Sequence, residues 1–184
     1  MEVKEAFSQA FPKGSKLPEF NLKDTAGNML TNDFFNTKAS LVVFTCNHCP
    51  YVKGSDKMLI DTVHSFLDKG LKAVFISSND AAQYPEDSYE KMIEKSNQYN
   101  FQFPYLYDQT QEIAKSFDAA CTPECYLFNE NQELVFHGTI NDNPREPEKA
   151  SKNYIKTAIE SVLNGDTPNP AFVNPLGCSI KWRV

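Results

Sequence analysis

No stretch of this chain stays apolar for long. The first twenty residues hold no run suited to a signal peptide, and nothing later approaches the roughly 20 apolar residues of a spanning helix. Positive charge is scarce as well: 18 Lys and Arg face 24 Asp and Glu, for a net charge of −6 and a pI near 5.1. That balance argues against nucleic acid or an anionic membrane as the main partner. Internal repeats and low-complexity segments are also missing. The expected compartment is therefore a cytoplasm, where thiols are kept reduced. There, five cysteines do not form a disulfide framework. A close pair of them is catalytic or metal-binding, and the odd count leaves at least one thiol over.

What is present suits one domain. At 184 residues, with 41 % apolar residues and 14 Phe and 8 Tyr, the chain can bury a proper core without staples. Residues 1–19 are polar, contain Pro12, Gly14 and Pro18, and form a lead-in; 20–165 form the domain; 166–184 form a tail packed on it. Phe20 and Leu22, the turn Asp24-Thr25-Ala26-Gly27 and Met29-Leu30 predict a small hairpin. Leu41–Phe44 is a short buried-strand pattern that runs into Cys46-Asn47-His48-Cys49-Pro50. Behind it, Val52, Leu59, Val63 and Phe66 recur at near-helical spacing, with Gly70 placed to end the helix.

Leu71–Ser77 is the clearest strand. Pro85 is expected to open a second helix whose inner face is Tyr89, Met92, Ile93 and Ser96. Phe103–Tyr107 is extended, with Pro104 marking an edge or a strand start. Asp108 is expected to cap a short helix, with Gln111 at the reciprocal position and Ile113, Ala114 and Phe117 inward. Cys125–Phe128 and Leu134–Gly138 flank a polar turn as an antiparallel hairpin. Pro147 is expected to start a last helix with the stripe Tyr154/Ile155, Ala158/Ile159 and Val162, closed by Gly165. The sum is an α/β chain: a βαβ unit carrying a dithiol, then a hairpin and a helix. This is the thioredoxin-like arrangement, a central mixed sheet flanked by helices, with an N-terminal β-hairpin and an extended C-terminal tail added.

On these residues the chain resembles the AhpC/TSA-type redoxins, which include peroxiredoxins and TlpA/ResA-like thiol oxidoreductases. It is similar in particular to a group carrying Cys-Asn-His-Cys-Pro-Tyr-Val. The likeness extends to Ser78-Asn79-Asp80, Tyr84-Pro85-Glu86-Asp87, Phe103–Asp108, Cys121-Thr122-Pro123-Glu124 and Gly177–Trp182. One departure is Thr139, where that group tends to have a basic residue. The resemblance implies a thiol–disulfide oxidoreductase in redox homeostasis with no bound cofactor or metal. Its partners would be a disulfide-containing protein or small-thiol substrate and a cellular dithiol reductant.

Cys46 is the expected nucleophile, since it comes first and stands where the strand ends and solvent begins. Lowering a thiol pKa from about 8.5 to about 6 needs roughly 3.4 kcal/mol of differential stabilisation. The helix N-terminus can supply part of it. His48 can add more if it is protonated or donates to sulfur, as its position in a Cys-x-His-Cys motif resembling DsbA-type oxidants implies; the alternative is a solvated loop histidine. Cys49 would resolve the mixed disulfide. By the thioredoxin resemblance, Pro123 is cis and leaves the Thr122 backbone to pair with an extended substrate. The resemblance also calls for a buried acid beneath the pair, but Ser40 holds that position. Glu124 is the nearest candidate, but it is expected to be an exposed surface glutamate, and the proton acceptor is left unassigned.

Cys125 reads as a buried strand residue. Cys121 and Cys178 could each pair with Cys46 or Cys49, or be inert. His64, His137, Asp142 and Arg145 read as structural. Two rival functions remain. One is a thiol peroxidase, although Cys46 and Val42 stand where peroxiredoxins have threonine and proline. The other is a zinc-stabilised interaction module with four thiolate ligands, Cys46, Cys49, Cys121 and Cys125.

Overall fold

A computed structural model describes residues 7–184 of the chain; the first six residues of the lead-in lie outside it. The expected hairpin is β1 (Asn21–Asp24) and β2 (Met29–Thr31). Its turn is held by the Asp24 carboxylate, which accepts the backbone N–H groups of Ala26 and Asn28 at 2.9 and 2.8 Å. β3 (Ala39–Thr45) leads into α1 (Pro50–Phe66), and a 3-10 turn ends at Gly70 with φ +104° before β4 (Leu71–Ser77). α2 (Tyr89–Gln98), β5 (Tyr105–Tyr107) and α3 (Glu112–Ser116) follow. Then come β6 (Cys121–Thr122), β7 (Glu124–Phe128), β8 (Leu134–Gly138), α4 (Tyr154–Leu163), β9 (Phe172–Val173) and β10 (Cys178–Ser179).

Eight strands form one mixed sheet in the order β2-β1-β5-β4-β3-β7-β8-β9, with β3, β4 and β5 parallel and β7 antiparallel to β3. β3 lies in the middle and is buried along its whole length. Successive side chains of a strand point to opposite faces, so its unbroken apolar run serves two cores. Leu41 and Val43 join Leu59, Ile60 and Val63 of α1, Met92 of α2, and Ile155, Ile159 and Val162 of α4. Val42 and Phe44 join Phe11, Phe35, Phe117 and Tyr126 on the other face. Phe11 and Leu17 carry the lead-in into that second core.

Three local expectations are corrected. Pro85 and Pro147 open 3-10 turns, Pro85–Asp87 and Pro147–Lys149, and not the helices themselves. The α-helices begin later, at Tyr89 and Tyr154, behind the caps Ser88 and Asn153, whose side chains accept the N–H groups of Lys91 and Lys156. A side-chain cap satisfies an orphan helix donor, which proline cannot do. Gln111 does not complete a capping box: it has φ +66° and donates to the carbonyls of Ser78 and Lys181. Asp108 does take the first-turn N–H groups, from Ile113 and Ala114. Pro104 does stand at a strand start, the second of its two expected places, and that strand lies inside the sheet, between β1 and β4.

Leu41→Ala would empty a fully buried position between sheet and helices. The expected loss is about 2–5 kcal/mol, read from urea unfolding as a lower midpoint at unchanged slope.

Candidate active site

The dithiol occupies the junction between β3 and α1. Cys49 is the N-cap of α1, Pro50 fills the first helical position where no N–H is needed, and Lys53 N–H reaches the Cys49 carbonyl at 2.9 Å. The three residues before Cys49 are clamped from outside the motif. Lys95 Nζ donates to the Cys46 carbonyl at 2.8 Å, and Tyr105 Oη to the Asn47 side-chain oxygen at 2.8 Å. Asp87 accepts from Asn47 N–H at 2.7 Å and Asn79 Nδ2 at 2.8 Å, and its other contact is His48 Nδ1 at 2.5 Å. His48 thus contacts Asp87, with a ring nitrogen within 4.8 Å of the Cys46 sulfur, and its ring stacks on Tyr84 with centroids 5.4 Å apart.

Both sulfurs are covered, Cys46 at 0 % and Cys49 at 1 % exposure. The expectation that Cys46 stands at the solvent edge is corrected: the Thr122 turn and Cys178 from the C-terminal tail pack over the pair. Cys46 Sγ accepts the Cys49 N–H at 3.4 Å and lies 3.4 Å from Thr122 Oγ1. Cys49 Sγ lies 3.6 Å from the Thr122 carbonyl. The Thr122–Pro123 bond is cis, as the family resemblance implies.

The thiols hydrogen-bond to each other, so they titrate as one unit. The Cys46 thiol donates to Cys49, which lowers Cys49 to about 4 against the penalty of burial; Cys178 and the backbone N–H groups of Val52 and Cys178 add to the effect. Cys46 is raised for the matching reason: it keeps the shared proton, is buried, and feels the charge of Asp87, with only the Thr122 hydroxyl acting strongly the other way. The expected charge therefore moves from Cys46 to Cys49. The helix terminus acts on Cys49 because that residue, not Cys46, caps the helix.

A buried acid exists that the sequence reading missed. Asp56, on α1, is buried and pairs with the buried Lys95 at 2.9 Å. Burial raises its pKa, Lys95 pulls the other way, and the charge of Cys49 raises it further. Ser40, six residues before Cys46, has a buried Oγ with no hydrogen-bond partner among the described residues. Two sequence signals point to this pair. Asp56 lies two turns beyond Cys49, and Lys95 lies three residues after the buried Met92, on a face meant to be apolar.

Glu124 is not on the surface. It is fully buried and accepts from the N–H groups of Ala120 and Cys121, from Tyr126 Oη at 3.0 Å, and contacts His137 Nε2 at 2.6 Å. Burial opposes its charge, but these partners hold it below the ordinary carboxylate range. It anchors the turn that carries Thr122 and Pro123. The four thiolates of a zinc site do not assemble: Cys125 lies in the core of β7, where burial raises its pKa. Among the described residues, the one group of three possible metal ligands is Cys46, His48 and Asp87, with ligand atoms within 4.8 Å of one another. Three ligands fall short of a closed structural zinc site. Asp142 accepts the N–H groups of Ser151 and Lys152, and His64 accepts that of Gln102. Both are structural contacts.

A dithiol at a strand–helix junction, faced by an X–Pro turn of a neighbouring strand, is the working arrangement of thioredoxin-like proteins, and this chain has their fold. It belongs to the AhpC/TSA family, which it matches over residues 13–137, and so to a family of oxidoreductases. It is similar over its whole length to the crystal structure of an uncharacterized conserved protein from Geobacillus kaustophilus, at 36 % identity and TM-score 0.88, covering 97 % of that chain. A hypothetical protein from Sinorhizobium meliloti 1021 is 33 % identical at TM-score 0.90, with coverage of 98 % of this chain and 100 % of that one. A thiol:disulfide interchange protein from Bacteroides sp. shares the fold at TM-score 0.63 and 20 % identity, over 85 % of this chain and 93 % of the other. A search of curated proteins returned no match.

Glu124→Gln breaks a buried pair and is expected to cost about 3–5 kcal/mol at neutral pH. Because the folded-state pKa of Glu124 lies below the unfolded value near 4.5, its contribution is present above that value and fades as the pH falls through the folded pKa. The gap in stability between wild type and variant, measured by denaturant titration, should be constant at neutral pH and narrow in acid.

Proposed function

We propose that the protein is a thiol–disulfide oxidoreductase in which Cys46 and Cys49 exchange disulfides with protein or small-thiol substrates and a cellular dithiol reductant renews the pair. Supporting this is one observation above all: two buried sulfurs at a helix N-terminus, Cys46 Sγ accepting the Cys49 N–H, packed against the cis Thr122–Pro123 turn. As the shared proton passes to Cys49, the Cys46 thiolate attacks a substrate disulfide and releases the first substrate thiolate. Cys49 then gives up its proton, attacks Cys46 Sγ and releases the second. Asp56 is our assignment for the acceptor of that proton, since burial brings its pKa toward that of a thiol. Lys95 joins this acid to the Cys46 carbonyl. A cytoplasmic setting, our inference from composition, suits a pair that is kept reduced.

Stopped-flow reduction of a model disulfide tests the scheme. Cys46→Ser should abolish exchange, and Cys49→Ser should accumulate a mixed disulfide visible as added mass; a wild-type protein inert toward every model disulfide would overturn it. Asp56→Asn should slow resolution and shift its pH profile, whereas a purely structural role would leave the profile unmoved. Peroxide turnover on the same preparation should lag behind disulfide exchange, because Cys46 and Val42 stand where peroxidases have threonine and proline.

A further inference from the structure

The edge of the Thr122–Pro123 turn, where an extended substrate was expected, is already taken by this chain. β10 pairs with β6 in antiparallel register, Cys178 opposite Thr122 and Ser179 opposite Cys121. Gly177 makes that approach possible: a Cβ there would lie 2.1 Å from the Thr122 carbonyl oxygen, closer than any side chain tolerates. The following residues are pinned too. Ile180 N–H donates to the Ala120 carbonyl at 3.0 Å, and Lys181 N–H to Asn79 Oδ1 at 2.9 Å. The Lys181 carbonyl accepts from Asp80 N–H and Gln111 Nε2. Lys181 Nζ lies over the Tyr84 ring, which itself stacks on His48. The docked strand packs Cys178 against the cluster of Cys46, Cys49 and Val52, with its thiol in a hydrogen bond to Cys49. Of the five cysteines, Cys178 is also the one that is not buried.

We propose that Cys178 is a third redox thiol, which takes over the disulfide from the covered pair and carries it to the surface as a Cys49–Cys178 bond. The proposal rests on the Cys46/Cys49 exchange described above. Starting from the Cys46–Cys49 disulfide, Cys178 sulfur attacks Cys49 Sγ. The Cys49–Cys178 bond forms, the Cys46–Cys49 bond breaks, and the proton lost by Cys178 ends on Cys46, with no net oxidation. The dithiol reductant then attacks Cys178 Sγ, expels Cys49 as thiolate, and closes to its own disulfide with transfer of two electrons. Cys49 suits the leaving role, because a thiol of low pKa leaves faster. The rearrangement is also timed by the state of the pair. In the reduced protein, Cys178 is raised to about 11 by burial and by its hydrogen bond to the charged Cys49. Once Cys49 is in a disulfide, that bond and charge are gone, and Cys178 ionises more easily.

The test uses the full chain equilibrated in glutathione buffers of increasing oxidised fraction, quenched in acid, alkylated and mapped by mass spectrometry after trypsin. Cys46 and Cys49 share the tryptic peptide 39–53, and Cys178 lies in peptide 157–181. The expected result is a cross-link between these peptides through Cys49, lost in Cys178→Ser together with most of the rate of reduction by a dithiol. Gly177→Val should undock the strand, abolish the cross-link, leave the Cys46–Cys49 disulfide intact and speed alkylation of the reduced pair. If Cys178 stays alkylatable at every potential while Cys46–Cys49 forms and exchanges, the relay is overturned and the underlying function stands. A cross-link that persists undiminished in Gly177→Val also overturns it. If Cys46–Cys49 never forms, the exchange function falls, and the relay with it.

Discussion

Burial of β3 on both faces is the constraint from which the rest follows. A strand flanked by β4 and β7 and covered above and below has no freedom to slide, since a one-residue slip would swap its two sets of side chains between cores. That fixes where Thr45 ends and hence where Cys46 stands. β4 and β5 run parallel to it and bring the Asn79–Asp87 loop to the same end of the sheet. β7 runs antiparallel, and so its start delivers Thr122 and Pro123 to the sulfurs.

The second organising element is buried charge. Asp87, Asp56, Lys95 and Glu124 are all withdrawn from water, and each would cost several kcal/mol if left unpaired. Asp87 is met by donors from Asn47 and Asn79 and by the His48 ring, Asp56 by Lys95, and Glu124 by two backbone N–H groups, Tyr126 and His137. These contacts orient the Cys46–Cys49 segment from the side and the Thr122 turn from behind. The field they set up is not neutral for the thiols: Asp87 disfavours a charge on Cys46, while the helix terminus and the tail favour one on Cys49. A glutamate or lysine in such a place is thus neither a surface residue nor an accident of packing.

Much of the fold was legible because its signals are local. Apolar runs and their periods gave the strands at Leu41–Phe44 and Leu71–Ser77, the helix behind the cysteines and the hairpin at Cys125–Gly138. Helix starts were misread at Pro85 and Pro147, since proline favours the first turn of a 3-10 helix as readily as that of an α-helix and the capping Ser88 and Asn153 lay further on. Gln111 was misread because its real partners, Ser78 and Lys181, are remote in sequence. Glu124 looked exposed because nothing nearby announces the partner it finds on β8.

By itself the sequence determined a dithiol at the first turn of a helix, a Thr–Pro dipeptide on a later strand and the family both resemble. Those are short-range patterns, written in consecutive residues or in one repeating period. Only the tertiary structure decided which thiol its surroundings favour as the charged one, which acid is buried behind the helix start and what covers the pair. Each of those depends on distances between residues far apart in the chain. Cys49 reaches Cys178, Asp56 reaches Lys95, and Thr122 meets Gly177 only because the sheet order and the returning tail bring them to one place.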